Sequence, residues 1–148
     1  MDKEVPRPFS FKHIKTPAWA KKSDIYFIVL TNNNQEIAYI GLQSLDFQLG
    51  VCNNICYKTF LDFRGNGWSK YYLFDFIRWQ PFDFDIIKAF VKEENIASCK
   101  MLEYCGFTKK LKEQVNGYIK NRSFQEKIYI YKLKKYNYIK EIGEKYSG

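Results

Sequence analysis

The chain has 148 residues, with 24 Lys and Arg against 16 Asp and Glu, a formal net charge of +8. A hydrophobic fraction of 46% and an aromatic fraction of 19% exclude a disordered chain and supply one core without disulfide or metal staples. No apolar run approaches the roughly 18–20 residues that span a bilayer, and residues 1–22 lack the uninterrupted apolar stretch of a secretory signal, so a soluble cytoplasmic domain is expected.

Pro6, Pro8 and Pro17 rule out a long early helix, and only a short helical turn over Ala18–Lys22 is expected. Ile25–Leu30 (IYFIVL) is an apolar run of strand length. Thr31–Gln35 (TNNNQ) reads as a turn, and Glu36–Leu45 as the second strand of a hairpin. Val51–Phe60 reads as a third strand. Trp68–Gln80 has helical spacing, with Leu73, Phe76, Ile77 and Gln80 along one face and Pro81 as its stop. Tyr72 and Trp79 fall on the other face, which predicts a helix covered on more than one side. Asp85–Val91 is another strand. Ile96–Cys105 is a helix with Asn95 as N-cap and Gly106 as C′ residue. Phe107–Val115 and Lys127–Leu133 close the pattern around Asn116–Gly117 and a polar loop, and the tail beyond Leu133 is either helical or frayed. The order predicts one mixed α/β domain over 1–148, with a short N-terminal segment at 1–24 and a basic tail at 134–148. Tyr26, Phe27, Tyr39, Phe74, Phe76, Phe84, Phe90 and Tyr129 recur at core spacing and are expected to pack inside.

Cys52, Cys56, Cys99 and Cys105 form no C-x-x-C, and the single histidine, His13, lies in a basic N-terminal stretch. Four free, mostly buried thiols and no metal site are expected. The charge is uneven along the chain. Residues 1–22 hold six Lys/Arg and two Asp/Glu, residues 132–148 hold five and two, and residues 23–131 hold thirteen and twelve. The basic excess is therefore terminal.

The segment that carries chemistry begins at Arg64–Ser69 (RGNGWS), between a strand and a helix. Glycines at 65 and 67 permit backbone conformations closed to other residues. They let several N–H groups converge at a helix N-terminus, which favours an anion such as phosphate. A tight strand-to-helix turn is the alternative use of the same glycines. The spacing is neither G-x-G-x-x-G nor G-x-x-x-x-G-K-[ST], so the dinucleotide and Walker readings fail. A second motif follows strand 86–91, where Asn95, Ser98, Gly106 and Phe107 sit in the pattern N-x-x-S…L-E-x-x-G-F.

With both motifs in this order, residues 25–133 resemble the GNAT family of acetyl-CoA-dependent N-acetyltransferases. The likeness is greatest to the branch of ribosomal-protein N-terminal and sugar-amine acetyltransferases. Arg64, Gly67 and Ser69 occupy the family's R/Q-x-x-G-x-G/A positions, which bind the CoA pyrophosphate. The resemblance implies a central, mostly antiparallel sheet flanked by helices, with a splayed parallel strand pair that binds CoA. It implies acetyl-CoA as cofactor and direct attack by a primary amine in a ternary complex. Two departures stand out: Ser69 replaces the usual Gly or Ala, and Leu102 replaces a Tyr that protonates the departing thiolate in many relatives.

The implied cofactor site is Tyr57, Lys58 and Thr59 on the strand, then Arg64, Gly65, Asn66, Gly67, Trp68 and Ser69, then Asn95 and Ser98. A backbone N–H near Tyr57 to Thr59 would stabilise the charge that develops on the thioester oxygen. Ser98 and Asn95 are the candidate catalytic residues. Ser98 either assists the departing thiolate or caps its own helix, and Asn95 is an N-cap, a pantetheine contact, or both. Tyr71, Tyr72, Tyr118 and Phe124 are candidates for an acceptor mouth.

The acceptor class is less constrained. A Lys ε-amine is only roughly 0.04% neutral at pH 7, whereas an α-amine is about 10–20% neutral. Asp46, Asp62, Glu36 and Glu94 are the candidate bases and none stands out, which favours a less basic amine, as on a peptide N-terminus or an amino sugar. Two alternatives remain: an RNA-linked acceptor such as aminoacyl-tRNA, drawn to the basic termini, and a non-catalytic CoA-binding relative, for which Leu102 speaks. A monomer or homodimer without membrane contact is expected.

Overall fold

The computed structural model describes residues 4–119 and 122–135, and side chains outside 111–127. Ten elements follow one another: β1 (Ser10–Ile14), β2 (Ile25–Leu30), β3 (Glu36–Asp46), β4 (Val51–Thr59), a 3-10 turn (Leu61–Phe63), α1 (Ser69–Trp79), β5 (Ile86–Lys92), α2 (Ile96–Tyr104), β6 (Thr108–Ile119) and β7 (Arg122–Lys134). The strands form one mixed sheet in the order β1-β2-β3-β4-β5-β7-β6. Every neighbouring pair is antiparallel except β4 and β5. The mixed α/β class expected from the sequence is therefore present.

Each crossover has a local cause. Asn34, at φ +66°, closes the β2–β3 hairpin, with Thr31 N–H donating to the Gln35 carbonyl at 3.0 Å. β4 and β5 run parallel, so the chain must cross over through α1. α1 buries Tyr72, Leu73, Phe76 and Ile77 against Phe27, Val29, Ile40, Leu42 and Ile55 of the sheet. Burying each of these large side chains contributes about 1.5–3 kcal/mol before entropy is counted. α2 packs on the same side, beside α1, where Tyr104 meets Tyr71 at 5.8 Å and the Cys105 thiol donates to the Lys70 carbonyl at 3.6 Å.

The structure differs from the sequence reading at several points. β1 was not expected: the prolines around it rule out a long helix, and no strand is expected there. It pairs with β2 over five residues and sets Phe11 5.2 Å from Phe76. The connection expected around Asn116–Gly117 and a polar loop is shorter than that: both residues lie within the β6–β7 ladder, opposite Gln125 and Phe124. Over Ala18–Lys22 there is no helical turn but two tight turns, closed by Ala20 N–H on Pro17 and Asp24 N–H on Lys21. Tyr72 is buried on α1 as expected of a second covered face, but Trp79 is 47% exposed. Among the expected core aromatics, Phe90 is 46% exposed, because it alternates with Ala89 and Val91 on the opposite face of β5. Among the described residues no helix is long and apolar enough to cross a membrane.

Gly41 stands at a crowded point of the sheet. A Cβ there would lie 2.5 Å from the Tyr26 ring and 2.7 Å from the Cys56 sulfur, and Tyr26 is fully buried. Gly41→Ala should lower stability by about 1–3 kcal/mol, read as a lower urea midpoint with an unchanged slope. A midpoint equal to the parent would show that Tyr26 moves aside at no cost.

Candidate functional site

The site begins with a strand pair that stops pairing. β4 and β5 share only two register partners, Val51↔Ile86 and Cys52↔Ile87. Beyond them the strands diverge, and each leaves an unpaired edge facing the gap. Phe60 N–H donates to the Ile37 carbonyl, so the antiparallel alternation turns the backbone of 54, 56 and 58 toward β3. The N–H groups of Ile55, Tyr57 and Thr59 then face the gap. Across it, Lys135 N–H donates to the Asp85 carbonyl, so Ile87, Ala89 and Val91 bond to β7. Lys88 and Phe90 turn their backbone groups toward β4. An extended chain with amide groups can enter such a gap as a sheet partner would.

At the wide end of the gap lies the glycine loop. Gly65 and Gly67 have φ of +82° and +71°. Apart from the adjoining residues of the chain, no described atom lies within 4 Å of where a Cβ would stand on either one. The loop leads into α1, whose N-cap, Trp68, supplies no side-chain hydrogen bond, so the first N–H groups of the helix keep their capacity for an anion. Arg64 folds back, donating from Nε to the Thr59 carbonyl at 2.9 Å, and the Asn66 side chain donates to the Phe63 carbonyl at 3.3 Å. The Trp68 indole N–H is buried and has no partner among the described residues.

Two pockets occupy this region. One of about 490 Å³ is lined by Tyr57, Lys58 and Thr59, the loop from Phe63 to Ser69, Asn95 and Ser98. The other, of about 300 Å³, fills the gap between residues 54–57 of β4 and 89–92 of β5, and reaches Leu102. They share Tyr57, Asn95 and Ser98. All the residues singled out as a cofactor site thus converge on one pocket.

The side chains at the junction have defined partners. The Asn95 Oδ1 accepts from the Ser98 N–H at 3.2 Å, so Asn95 is an N-cap of α2. That leaves the Ser98 hydroxyl uncommitted to the cap, and Ser98 and Tyr57 stand together in the lining of both pockets. Burial pushes the Tyr57 phenol above its usual range, and the contact with Ser98 acts in the opposite direction. Thr59 Oγ1 and Tyr72 Oη are 2.8 Å apart, and burial pushes Tyr72 up to about 12. From the sequence, Tyr57 counted for its backbone alone. Its side chain matters because strand alternation sends Ile55, Tyr57 and Thr59 to the helical face, a parity visible only once the register is known.

Other expectations do not meet at the site. Tyr72 is fully buried and lines neither pocket, so it is a core residue and not part of an acceptor mouth. Tyr71 sits between the α1 and α2 surfaces, with the Arg7 guanidinium 4.7 Å above its ring. The side chains of Tyr118 and Phe124 lie outside the described residues. Neither pocket lining contains Asp46, Asp62, Glu36 or Glu94; Asp46 accepts instead from the Leu49 N–H. Leu102 is fully buried and reaches the gap with an apolar side chain.

The four cysteines are free, Cys52 and Cys105 buried and Cys56 and Cys99 half-buried. Among the described residues no group of three or more His, Cys, Asp or Glu could hold a metal ion. Burial pushes the Cys52 thiol up to about 12 and raises Cys56 as well. Neither is a ready nucleophile.

Comparison with known proteins locates this fold. No protein-family model matches the chain, and no curated protein matches its sequence. Solved structures do match. A chimera of the spermidine N-acetyltransferase SpeG from Vibrio cholerae and hSSAT is 15% identical, with a TM-score of 0.67 over 79% of this chain and 71% of that one. Mutant forms of the spermidine/spermine N-acetyltransferase SpeG from Vibrio cholerae are also 15% identical, with a TM-score of 0.68 over 80% of this chain and 71% of that one. The Vibrio cholerae spermidine N-acetyltransferase in complex with CoA and spermine is 16% identical, with a TM-score of 0.66 over 79% of this chain and 69% of that one. The chain shares the GNAT fold of these structures.

The thiol environments give a direct check. Iodoacetamide at pH 8 on the folded protein should leave Cys52 and Cys105 unmodified while half-buried Cys99 reacts. Peptide mass spectrometry reads the order, and early labelling of Cys52 would contradict its burial.

Proposed function

We propose that this protein transfers the acetyl group of acetyl-CoA to a primary amine. The observation that carries the reading is the pair of pockets meeting at Tyr57, Asn95 and Ser98, between a glycine phosphate cradle and an opened parallel strand pair. The shared fold with N-acetyltransferases supports it, as does the structure of one of them with CoA and spermine.

The residues present fit acetyl-CoA. Open space beside Gly65 and Gly67 and the uncapped N-terminus of α1 suit a pyrophosphate. The unmatched Trp68 N–H adds a donor beside the cradle. The unpaired edges of β4 and β5 suit the amides of a pantetheine arm. Acetyl-CoA would supply an acetyl group already activated as a thioester.

The chain's own groups then divide the work. The N–H groups of Tyr57 and Thr59 face the gap and can hold an oxygen that gains negative charge, in a partly dry site where such donors count most. The departing sulfur needs a proton. Leu102 cannot give one, whereas the Tyr57 phenol and the Ser98 hydroxyl beside it can. Because burial raises the Tyr57 pKa, the phenol keeps its proton well above neutral pH. The acceptor must be neutral to attack, and neither pocket lining holds a carboxylate or histidine to deprotonate it. Solvent takes that proton, and an amine of low pKa is the better acceptor.

Calorimetry should show saturable acetyl-CoA binding, and an amine panel should release free thiol. No saturable binding would sink the reading. Tyr57→Phe should lower kcat by about 10²-fold, the usual scale for a lost proton donor, with acetyl-CoA affinity within a factor of about three. In the parent, kcat/KM for the amine should rise with pH as the amine loses its proton, with no alkaline decline below about pH 10. A decline near pH 8 that Tyr57→Phe leaves in place would remove the phenol from its role.

A further inference from the structure

Three cross-strand neighbours on the face of the sheet away from the helices are joined by hydrogen bonds. Ile55 and Thr59 of β4 turn to the helices, Ile55 into the core and Thr59 onto Tyr72 of α1. Asn54 and Cys56 therefore take the other face. Asn54 stands opposite Gln43 of β3, and Cys56 opposite Gly41. Gly41 in turn stands opposite Tyr26 of β2. Because Gly41 has no side chain, the Tyr26 ring lies across it, 2.5 Å from where a Cβ would stand. The phenol thereby reaches its diagonal neighbour Gln43. Gln43 Nε2 donates to Tyr26 Oη at 2.7 Å, and Asn54 Nδ2 donates to Gln43 Oε1 at 2.6 Å. Trp19 covers the inner end of this row, its ring 5.3 Å from that of Tyr26.

The outer end of the row lies at the gap. Asn54 lines the smaller pocket, with Cys56 beside it on β4 and Phe90 across from it on β5. Its Nδ2 is engaged with β3, so the planar amide turns its Oδ1 away from Gln43. That oxygen has no partner among the described residues. The groups behind Asn54 fix the rotation of its amide. Turned over, Asn54 would set its carbonyl oxygen against the Gln43 carbonyl oxygen, and two acceptors repel. Tyr26 is fully buried, so the row is anchored in the protein interior at one end and presents a carbonyl oxygen at the other.

A carbonyl oxygen fixed at this place suits an amine about to react. A primary amine has two N–H bonds and one lone pair. Giving one N–H to Asn54 Oδ1 leaves the lone pair free and limits the directions in which it can point. The amine nitrogen forms its bond to the acetyl carbon, and the carbon–sulfur bond breaks. One amine proton leaves to solvent. The thiolate is protonated from the Tyr57 side, and solvent restores that proton. While the new bond forms, the nitrogen gains positive charge. A hydrogen bond from a charged donor is roughly twice as strong as one from a neutral donor, so Asn54 holds the amine more firmly in the transition state than before it.

Resting on the acetyltransferase reading, we propose that Asn54 Oδ1 holds and orients the attacking amine, with Gln43 as the residue that positions Asn54. Thiol release is measured on the full chain with acetyl-CoA and glycinamide, benzylamine or spermidine. Asn54→Leu removes the oxygen at nearly constant size. It should lower kcat/KM for the amine by about tenfold or more, with the acetyl-CoA KM within about threefold and the melting temperature kept. Asn54→Asp restores an acceptor oxygen, since Gln43 can turn its amide over to donate to it and accept from the Tyr26 hydroxyl. With glycinamide at about pH 9, where an α-amine is largely neutral, it should recover at least about threefold of the loss. Gln43→Leu should cost about threefold or more alone and nothing further on top of Asn54→Leu. Parental kcat/KM in Asn54→Leu overturns the proposal, as does a loss confined to acetyl-CoA. So does an Asn54→Asp enzyme no better than Asn54→Leu, or losses that multiply in the double variant. If Asn54→Leu does not fold, Asn54→Ala takes its place. A parent that binds acetyl-CoA yet releases no thiol with any of the three amines overturns the acetyltransferase reading, and this assignment with it.

Discussion

The brevity of the β4–β5 pairing is the constraint on which the rest of the molecule depends. Two register partners join the strands and then they separate. A sheet that closed fully here would pair every backbone group and leave no entrance. Because it opens, the N–H groups of Ile55, Tyr57 and Thr59 lose their strand partner on one side while β3 holds the other. Unpaired backbone groups are costly unless water or a ligand satisfies them. The edge is thus kept open by the fold and matched to a chain of amide groups. The same separation makes room for the α2 N-terminus, where Asn95 and Ser98 meet Tyr57.

The phosphate end depends on a different arrangement of groups. Gly65 and Gly67 take left-handed conformations, and Trp68 leaves the start of α1 uncapped. In most helices a Ser, Thr, Asp or Asn would cap that end. Here the donors are left for something outside the chain. α2 shows the contrast, since its own N-cap, Asn95, is present and bonded to Ser98 N–H. Two helices on the same face therefore end differently at one pocket, one capped and one open.

How much of this was legible in the sequence varies by element. The IYFIVL run, the TNNNQ turn and the helix stopped by Pro81 are local signals, and the structure places them within a residue or two. β1 was missed because five residues among prolines carry no local signal, and only its pairing with β2 makes them a strand. Asn116–Gly117 reads as the start of a polar connection between two closing strands, yet the ladder runs through it, since cross-strand pairing outweighs local preference. The glycine loop and the Asn95–Ser98 pair were readable as motifs. The side chain of Tyr57 was not, because nothing in the sequence says which face of β4 it takes.

The polar groups show the same division. The sequence determined the total charge, the terminal excess, and a nearly balanced middle in which thirteen basic residues face twelve acidic ones. It also determined the strand–glycine–helix order, because chain order and backbone freedom are local properties. Only the tertiary structure decided that Gln43 and Asn54 stand opposite each other on one face of the sheet, and that Tyr26 reaches Gln43 across Gly41. Strand alternation assigns each side chain to a face, and register decides which strands stand together. Neither quantity is local. Net charge is a sum over residues, whereas hydrogen bonds between strands exist only where register brings their partners together.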